Sequence, residues 1–336
     1  MTNSKIDVTI TWVDSSDPIW QEEKSKYSGK KEVSAAVDAS DARYRDWDTV
    51  RYLLRGIEMY MPWVNHVFFI TYGHLPAWMN TGYEKLRIVN HRDYIPEEYL
   101  PTFCSHTIEL NMHRIKELSE HFIYFNDDIL VLRPLKEEDF FRNGLPRDYA
   151  ILNPINCSTR FSVQDIALTD MEVINDNFNK KTQIKKNLFK WIAPCYGKNL
   201  FRSFCLMSWP HFVGFLSKHQ GNAFLKSTFE EVWEKEFGIL DSTSRHKFRT
   251  RRDVNQWIMR YWQLAAGRFE PIRPYGEMYT IGNDNTKLFD VINHSQDKTI
   301  CVNDNNIEKI IDYKKTKKEL MDVLEKRYPV KSGFEL

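Results

Sequence analysis

Residues 122 to 132, FIYFNDDILVL, constrain the fold more than any other stretch of the chain. The aromatic and β-branched residues on both sides of its polar centre predict a buried strand. Asn126, Asp127 and Asp128 interrupt that run, and uncompensated carboxylates inside a sheet cost on the order of several kcal/mol each. We therefore predict that the strand ends at a cleft, where a metal or a cationic ligand meets the carboxylates. A plain turn is the alternative, because Asn and Asp are common turn residues.

The composition predicts a globular protein with a substantial core. The chain has 336 residues, of which 42% are hydrophobic and 14% aromatic, and its net charge of +1 gives no general footprint for a nucleic acid. Five cysteines without a CxxC spacing argue against a disulfide framework or a zinc knuckle and favour a reducing cytosol. No apolar run approaches the ~18 residues of a membrane span. We therefore expect a cytoplasmic protein, with any membrane association peripheral.

The order of the predicted elements indicates an α/β fold. The pattern predicts a strand at 6–14, a long loop at 14–42, a helix from Val50 to Met61, strands at 66–73 and 86–91, a helix from Ser105 to Leu118, and then the strand at 122–132. This alternation is typical of a mostly parallel, Rossmann-like sheet covered by helices. We predict three parts: an α/β core at 1–155, a mainly helical insert or cap at 156–270, and a C-terminal segment at 271–336 that returns to the core.

The helices predicted in the insert lie near 162–176, 180–192, 211–218 and 222–237. In the C-terminal segment, TICV predicts a short strand, and GNDN and VNDNN read as turns. A lysine-rich amphipathic helix at about 307 to 327 either docks on the sheet or rests on an anionic membrane face.

Several polar or aromatic residues stand where the ends of strands and the starts of helices would face a ligand. The candidates for nucleotide contacts are Trp12, Asp14, Arg43, Arg45, Ser105 and His106. The first two lie at the carboxyl end of the first predicted strand, the arginines suit phosphate, and Ser105 reads as the N-cap of a helix whose free N–H groups would face an anion. Asp17 follows the same strand and is a further carboxylate that could face a ligand; an ordinary turn at Asp17-Pro18 is the alternative. Neither GxGxxG nor GxxxxGK is present, which disfavours dinucleotide enzymes and P-loop NTPases.

The segment RHKFRTRRD, residues 245 to 253, contains five cations around His246. Such a cluster suits phosphate groups, and a basic surface patch is the alternative. The helix predicted after it has a broad apolar face, which indicates core packing.

Read together, these stretches resemble the Stealth family, the sugar-1-phosphate transferases of bacterial capsule synthesis and of eukaryotic lysosomal tagging. The resemblance is carried by IDVTITWVDSSDP, RYRD, PWVNHVFFITYG, LPTFCSHTIE, HFIYFNDDILVLRP, the His219 segment with STSRHKFRTRRD, and KTICVNDNN. The chain departs from the family at Cys104, where Asn is usual, and at 219–222, where HQGN replaces a His-Met-Pro-like run.

The resemblance implies that a nucleotide sugar, UDP-linked, gives its sugar and the attached phosphate to a hydroxyl of a glycan or lipid-linked glycan acceptor and releases UMP. Asp128 matches the family's essential carboxylate, a base or a metal ligand, while His219 and Arg249 match the His and Arg that handle phosphate. Asp127 and Asp304 are the predicted ligands of Mg²⁺ or Mn²⁺. In that reading residues 1–155 bind the nucleotide sugar, and the enzyme works on a cell-surface polysaccharide, in the cytoplasm or peripherally at the inner membrane face.

Two other functions fit part of the sequence. A metal-dependent glycosyltransferase with the same GT-A-like sheet would use Asn126, Asp127 and Asp128 as its acidic metal motif and would release UDP. A noncatalytic carbohydrate-binding protein would explain the aromatic residues, but it gives no reason for the Asp pair, His219 and the arginine cluster together.

Overall fold

The computed structural model describes residues 5–28, 46–157, 163–304 and 310–336. Its strands are β1 (Ile6–Thr11), β2 (Val67–Thr71), β3 (Leu86–Asn90), β4 (His121–Asn126), β5 (Ile129–Val131), β6 (Phe141–Arg142), β7 (Leu145–Asp148), β8 (Asn222–Leu225), β9 (Glu270–Pro271), β10 (Glu277–Thr280) and β11 (Thr299–Asn303). The main sheet has the order β3-β2-β1-β4-β8. Strands β1 to β4 are parallel, and β8 is antiparallel to β4.

The central strands of this sheet are buried because both faces are covered. Every residue of β2 is buried, in agreement with its largely apolar sequence. In β1, apolar residues alternate with Asp7, Thr9 and Thr11, yet five of its six residues are buried. The prediction of an α/β fold with a mostly parallel sheet is confirmed.

Two small sheets flank the main one. One has the order β10-β11-β5 and the other β6-β7-β9. Strand β5 pairs antiparallel with β11, so β4 and β5 belong to different sheets although only two residues separate them. The apolar run at 122–132 is therefore two strands joined by Asp127 and Asp128.

The helices are α1 (Pro18–Ser28), α2 (Thr49–Tyr60), α3 (His91–Tyr94), α4 (Ser105–Leu110), α5 (Glu137–Phe140), α6 (Val163–Asn177), α7 (Lys180–Lys186), α8 (Leu188–Trp191), α9 (Asn199–Met207), α10 (Lys226–Lys235), α11 (Phe237–Arg245), α12 (Trp257–Ala265), α13 (Thr286–His294) and α14 (Tyr313–Arg327).

The strongly amphipathic helix α2 packs against β5, the strand that follows the Asp127–Asp128 turn. In α2, a Cβ atom at Gly56 would lie 2.8 Å from the carbonyl oxygen of Val131. Glycine therefore permits the close approach of α2 to β5.

Two predictions for the first half of the chain were wrong in extent. The predicted loop at 14–42 contains α1, whose first turn is capped by Asp17, because Oδ1 accepts a hydrogen bond from the backbone N–H of Trp20 at 2.7 Å. The helix predicted from Ser105 to Leu118 ends at Leu110 and is followed by a short 3₁₀ turn, Met112–Arg114.

Two predicted helices of the insert also differ. Residues 211–218 are not helical: Asn153 and Ile155 donate backbone hydrogen bonds to Gly214 and Val213, and Gly214 has a φ of +127°. The range predicted as a helix at 222–237 begins with β8, which pairs with β4, and continues as α10. Helix α9 was not predicted. The three-part division of the chain stays a prediction.

The C-terminal helix docks on the rest of the protein. In α14, Leu320 and Leu324 are fully buried in a cluster with Leu130 and Ile300 of β5 and β11, so the docked alternative is the one observed, and the helix begins at Tyr313. TICV lies in β11 as predicted. Within the described residues, no helix is both long and apolar enough to cross a lipid bilayer.

Candidate active site

Asp127 and Asp128 lie at the C-terminal edge of the main sheet. They form the turn between β4 and β5, and the last residues of β1 and β4, Thr11 and Asn126, are paired beside them. Ligands of open α/β sheets collect at this edge. The predicted position of the carboxylates at the end of a buried strand is confirmed, and the turn alternative also describes their local conformation.

Only one of the two carboxylate oxygens of Asp128 accepts a hydrogen bond from a described residue. Its Oδ2 accepts a hydrogen bond from the Cys301 thiol at 3.2 Å and lies 3.5 Å from Nε2 of His219. Its Oδ1 is buried and has no hydrogen-bond partner among the described residues. A buried acceptor without a partner is costly, so this oxygen is suited to a proton donor or a cation brought by a ligand.

His219 is held against the end of β4 in an uncommon conformation. Its φ is +50°, in the left-handed region, and the side-chain amide nitrogen of Asn126 lies 3.1 Å from its Nε2. Gly221 packs on the ring of Phe125, where a Cβ atom would overlap it. A neutral ring accepts at Nε2 from Asn126, whereas a ring protonated at Nε2 pairs with Asp128. The prediction that Asp128 and His219 share one site agrees with this geometry.

Asp127 is held at the same edge with a perturbed proton affinity. Burial, followed by the charges of Asp128 and Asp46, raises the pKa of Asp127 to about 8. Burial also raises the pKa of Asp46. Sequence reasoning missed Asp46 because the RYRD stretch, residues 43 to 46, was read for its two arginines. These acids repel one another, and an added cation would relieve that repulsion.

The two predicted metal ligands contact the same segment of chain, residues 46–49. Thr49 donates to the backbone carbonyl of Asp127 at 2.8 Å, and the indole N–H of Trp47 donates to Oδ2 of Asp304 at 3.0 Å. Mg²⁺ and Mn²⁺ prefer oxygen ligands such as these carboxylates. Their assignment as metal ligands stays a prediction.

A different set of metal-ligand atoms meets around Asp128. One atom each of Asp128, His219 and Cys301 lies within 4.8 Å of the other two. Burial, followed by the charge of Asp128, holds the pKa of the Cys301 thiol well above its ordinary value. The thiol therefore keeps its proton and donates it to Asp128, which disfavours a thiolate-bound metal here.

Arg249 stands at the beginning of α4. Its Nη2 donates to the hydroxyl of Ser105 at 2.7 Å. The predicted N-cap role of Ser105 is wrong, because Ser105 is the first residue of α4 and Cys104 occupies the cap position. Arg249 has no carboxylate partner among the residues that the structure describes. Its charge is therefore not neutralised by a described carboxylate, as a phosphate ligand requires.

The other cations of the segment 245–253 have protein partners. Arg245 pairs with Asp241, Arg251 lies 3.6 Å from Asp165, and Arg252 lies 3.4 Å from Glu172. Lys247 donates to two backbone carbonyl oxygens, at Tyr99 and Leu100.

Asp253 holds the loop that carries Arg249, and the sequence analysis missed it. It is fully buried and accepts hydrogen bonds from the ring of His246 at 2.8 Å and from the backbone N–H and hydroxyl of Thr250 at 2.7 and 2.6 Å. Nδ1 of His106 lies 3.5 Å from its Oδ2. Burial alone would raise the pKa of Asp253, but these donors hold it well below its usual range.

His106 faces a carboxylate of the protein rather than an open surface. Its exposed fraction is 2%. Burial opposes its protonation, but Cys104 and Asp253 outweigh that effect and raise the pKa of His106 to about 9. Its predicted contact with a nucleotide stays a prediction.

Tyr124 of β4 connects the sheet edge that carries Asp127 and Asp128 to α4, at whose beginning Arg249 lies. Its hydroxyl donates to Glu109 of α4 at 3.2 Å and lies 3.1 Å from the hydroxyl of Thr11 at the end of β1. Helix α4, which begins at Ser105, is therefore fixed to the same edge of the sheet as Asp127 and Asp128.

The remaining predicted nucleotide contacts are placed as follows. Trp12 is buried, with an exposed fraction of 6%, and packs against Phe69 and His74. Asp14 is partly exposed, and its backbone N–H donates to Nε2 of His74 at 2.7 Å. Trp12 thus belongs to the core beside the site. Arg43 and Arg45 lie outside the described residues.

Two conserved regions of one family match the chain. Stealth protein CR1, conserved region 1, matches residues 4–32, and Stealth protein CR2, conserved region 2, matches residues 43–148. The second match contains the Asp127–Asp128 turn and all of α4.

Relatives match along the whole chain. The chain is 40% identical over 333 residues to a capsular polysaccharide phosphotransferase WcwK of Streptococcus pneumoniae, covering 98% of each sequence. It is 36% identical to the receptor polysaccharide phosphotransferase WefC of Streptococcus oralis, covering 99% of this chain and 100% of that one. It is also 36% identical to the exopolysaccharide phosphotransferase cps2G of Lactiplantibacillus plantarum, covering 98% and 96%. Among solved structures, apo mouse xyloside xylosyltransferase 1 matches 90% of this chain and 98% of its own with a TM-score of 0.37 and 10% identity, which is too weak for an argument.

The fold and the site define an α/β enzyme with a carboxylate–imidazole pair at the C-terminal edge of its sheet. The chain belongs to the Stealth family, as its motifs predicted, and it is a phosphotransferase.

Proposed function

We propose that the protein transfers a sugar-1-phosphate from a UDP-linked sugar to a hydroxyl of a glycan acceptor, forming a phosphodiester in a cell-surface polysaccharide and releasing UMP. The observation that carries this proposal is the meeting of Asp128 and His219 at the sheet edge, in a chain that matches polysaccharide phosphotransferases over its full length.

The proposed reaction is a displacement at the phosphorus that bears the sugar. The acceptor oxygen forms a new bond to that phosphorus, the bond from phosphorus to the bridging oxygen breaks, and UMP departs with the bonding electron pair. The bond between the sugar and its phosphate stays intact. The hydroxyl proton must be removed, and charge on the phosphate oxygens must be stabilised.

Asp128 is suited to receive the acceptor proton at Oδ1. Its Oδ2 is already bound by Cys301 and faces His219, which fixes the orientation of the carboxylate. A base must lie in hydrogen-bond reach of the proton that it removes, and Oδ1 is the oxygen whose acceptor capacity is unused among the described residues. His219, protonated, would stabilise the negative charge on Asp128 and on the adjacent phosphate.

Arg249 and the acidic residues would divide the work on the donor diphosphate. Arg249 has guanidinium nitrogens beyond the one bound to Ser105, and its fork suits two phosphate oxygens. Asp127 and Asp304, with Asp46 nearby, would hold Mg²⁺ or Mn²⁺. When bound, the cation would neutralise the diphosphate, which these carboxylates otherwise repel. We further propose that the enzyme works in the cytoplasm.

The nucleotide product tests the reaction class. Purified protein is incubated with a panel of UDP-sugars and extracted acceptor glycan, and nucleotides are separated by chromatography while the glycan is analysed by phosphorus NMR. We expect UMP and a phosphodiester signal in the glycan. Release of UDP with no phosphorus in the glycan would instead identify a glycosyltransferase and refute the proposal.

A further inference from the structure

One long stretch of the chain carries cations and no acids. The sequence contains 46 Asp and Glu residues in total, yet none stands between Asp176 and Glu230. The Lys and Arg residues of that stretch are Lys180, Lys181, Lys185, Lys186, Lys190, Lys198, Arg202, Lys218 and Lys226. A chain of net charge +1 therefore has a concentrated positive region that includes α7, α8 and α9.

The same region exposes large aromatic side chains. The exposed fractions are 85% for Phe189, 77% for Phe201, 53% for Phe204 and 52% for Trp209. Phe201 and Phe204 are three residues apart on α9 and so share one face of the helix. The opposite face is the attached one, because buried Ser203 accepts a hydrogen bond from the backbone N–H of Leu152 at 3.1 Å.

Hydrogen bonds hold the helices that carry these exposed rings in fixed positions. The buried Lys180, at the start of α7, donates to the carbonyl oxygens of Leu206 and Trp209 at 2.7 and 2.9 Å and so ties α7 to the end of α9. The hydroxyl of Tyr196 donates to the carbonyl of Lys190 at 2.8 Å and accepts from the N–H of Ala150. A preorganised surface loses little conformational entropy when it binds.

We propose that this surface, formed by the exposed side chains of α7, α8 and α9 together with Trp209, docks on an anionic lipid bilayer. Exposed Phe and Trp among Lys and Arg is the composition of segments that lie in the membrane interface. The exposed cations Lys181, Lys185, Lys186 and Lys198 have no ion pair within the described part of the chain and are free to meet lipid phosphates.

Charge argues against the chief competing occupant, a second copy of the chain. Lys190 is paired with Glu270, but the exposed cations without an ion pair would make two copies of this surface repel each other at close range. The proposal adds a place of action to the proposed function, because a lipid-linked glycan is presented at such a bilayer. The docking itself does not require that function.

Vesicle co-sedimentation of the full chain tests the docking. Vesicles of phosphatidylcholine alone are compared with vesicles of equal parts phosphatidylcholine and phosphatidylglycerol. We expect binding to the anionic vesicles only, weakened by high salt, and a loss of at least roughly tenfold in the Phe201→Ser, Phe204→Ser double variant. The matched control is Phe237→Ser on α11, where the side chain is 57% exposed and lies outside the acid-free stretch; it should bind like the wild type.

Several outcomes would overturn the docking. They are no binding to anionic vesicles, equal binding to both vesicle types, or equal loss in the double variant and in Phe237→Ser. A dimer in sedimentation velocity that the double variant abolishes, without vesicle binding, would assign the surface to a second copy. UMP release from a soluble acceptor is measured in parallel: turnover without vesicle binding refutes only the docking, and vesicle binding without UMP refutes only the proposed function.

Discussion

Arg249→Lys tests whether the segment 245–253 binds one phosphate group or is only a positive surface. Among the described residues, Arg249 bonds to the neutral hydroxyl of Ser105, whereas Arg251 stands near the carboxylate of Asp165. A phosphate clamp therefore predicts unequal effects of the two Arg-to-Lys changes. A general electrostatic attraction predicts equal ones, because both changes keep the charge.

The expected magnitude follows from the hydrogen bonds that lysine cannot replace. A single ammonium group cannot bond to Ser105 and also bind two phosphate oxygens in a plane. Losing one preorganised donor to developing charge costs about 2 to 4 kcal/mol, which corresponds to roughly 30- to 1000-fold in turnover. Arg251→Lys leaves its half-exposed ion pair in place, and its effect should stay within about 0.5 kcal/mol.

The assay is UMP release at saturating donor, at low and at high salt, with thermal unfolding to show that both variants fold. We expect Arg249→Lys to be impaired at both salt concentrations and Arg251→Lys to resemble the wild type. If the two variants lose activity equally, and high salt removes their difference from the wild type, the phosphate site is not at Arg249.

Three further predictions concern the acidic and histidine residues. Asp128→Asn should lower turnover by at least about 100-fold with nearly unchanged thermal unfolding, because the isosteric amide cannot accept the proton; Asp290→Asn, at an exposed position of α13, should be neutral, and near-normal turnover of Asp128→Asn would count against its role. A chelator should stop UMP release and Mg²⁺ or Mn²⁺ should restore it, since the acidic residues that would hold the cation offer the donor diphosphate no compensating charge without it; full activity in excess chelator would remove the metal from the mechanism. The pKa of His106 is about 9 in the folded protein and ordinarily about 6.5, so the stability from its protonated form is complete below pH 6.5 and is lost as the pH rises through 9, by up to about 3 kcal/mol. His106→Gln should therefore flatten the fall in the free energy of urea unfolding between pH 6 and 9, and an equal fall in both proteins would contradict the folded-state pKa.

The sequence identified those elements whose burial follows from a local pattern. Strand β1 alternates apolar and polar residues, β2 and β4 are largely apolar runs, and α2 has apolar residues at helical spacing ended by Pro62, so each was predicted. Helix α1 was not, because only Trp20 is buried and no apolar face shows in the sequence. Its signal was the Asp17-Pro18 pair, an N-cap followed by proline at the first helical position.

The elements of the insert were set by distant partners. Residues 222–225 become a strand because β4 has a free edge beside them, and residues 211–218 are held extended by hydrogen bonds to 153–155. Phe212 and Phe215 have a spacing that fits a helix, but both are buried against Trp191 in an irregular segment. Short apolar segments cannot be assigned from periodicity when tertiary pairing decides them.

The candidate site was predictable where motifs carry it and not where the fold assembles it. Asp128 and His219 were named from their motifs, and the fold brings them within 3.5 Å. Cys301 is an ordinary apolar position of β11 in the sequence, and only its pairing opposite Ile129 places its thiol on Asp128.

The charge states of the buried acids also depend on neighbours that only the fold brings together, and these charge states decide where a ligand is needed. Asp127 and Asp253 are both adjacent to polar or charged residues in the sequence, yet their environments displace the pKa in opposite directions. Asp253 is surrounded by donors from His106, His246 and Thr250 and is held ionised. Asp127 faces further carboxylates, and its pKa rises to about 8. Such a divergence between titratable groups marks different roles: the first carboxylate is satisfied by the protein and fixes the Arg249 loop, whereas the second would gain compensation from the cation that we propose at this site.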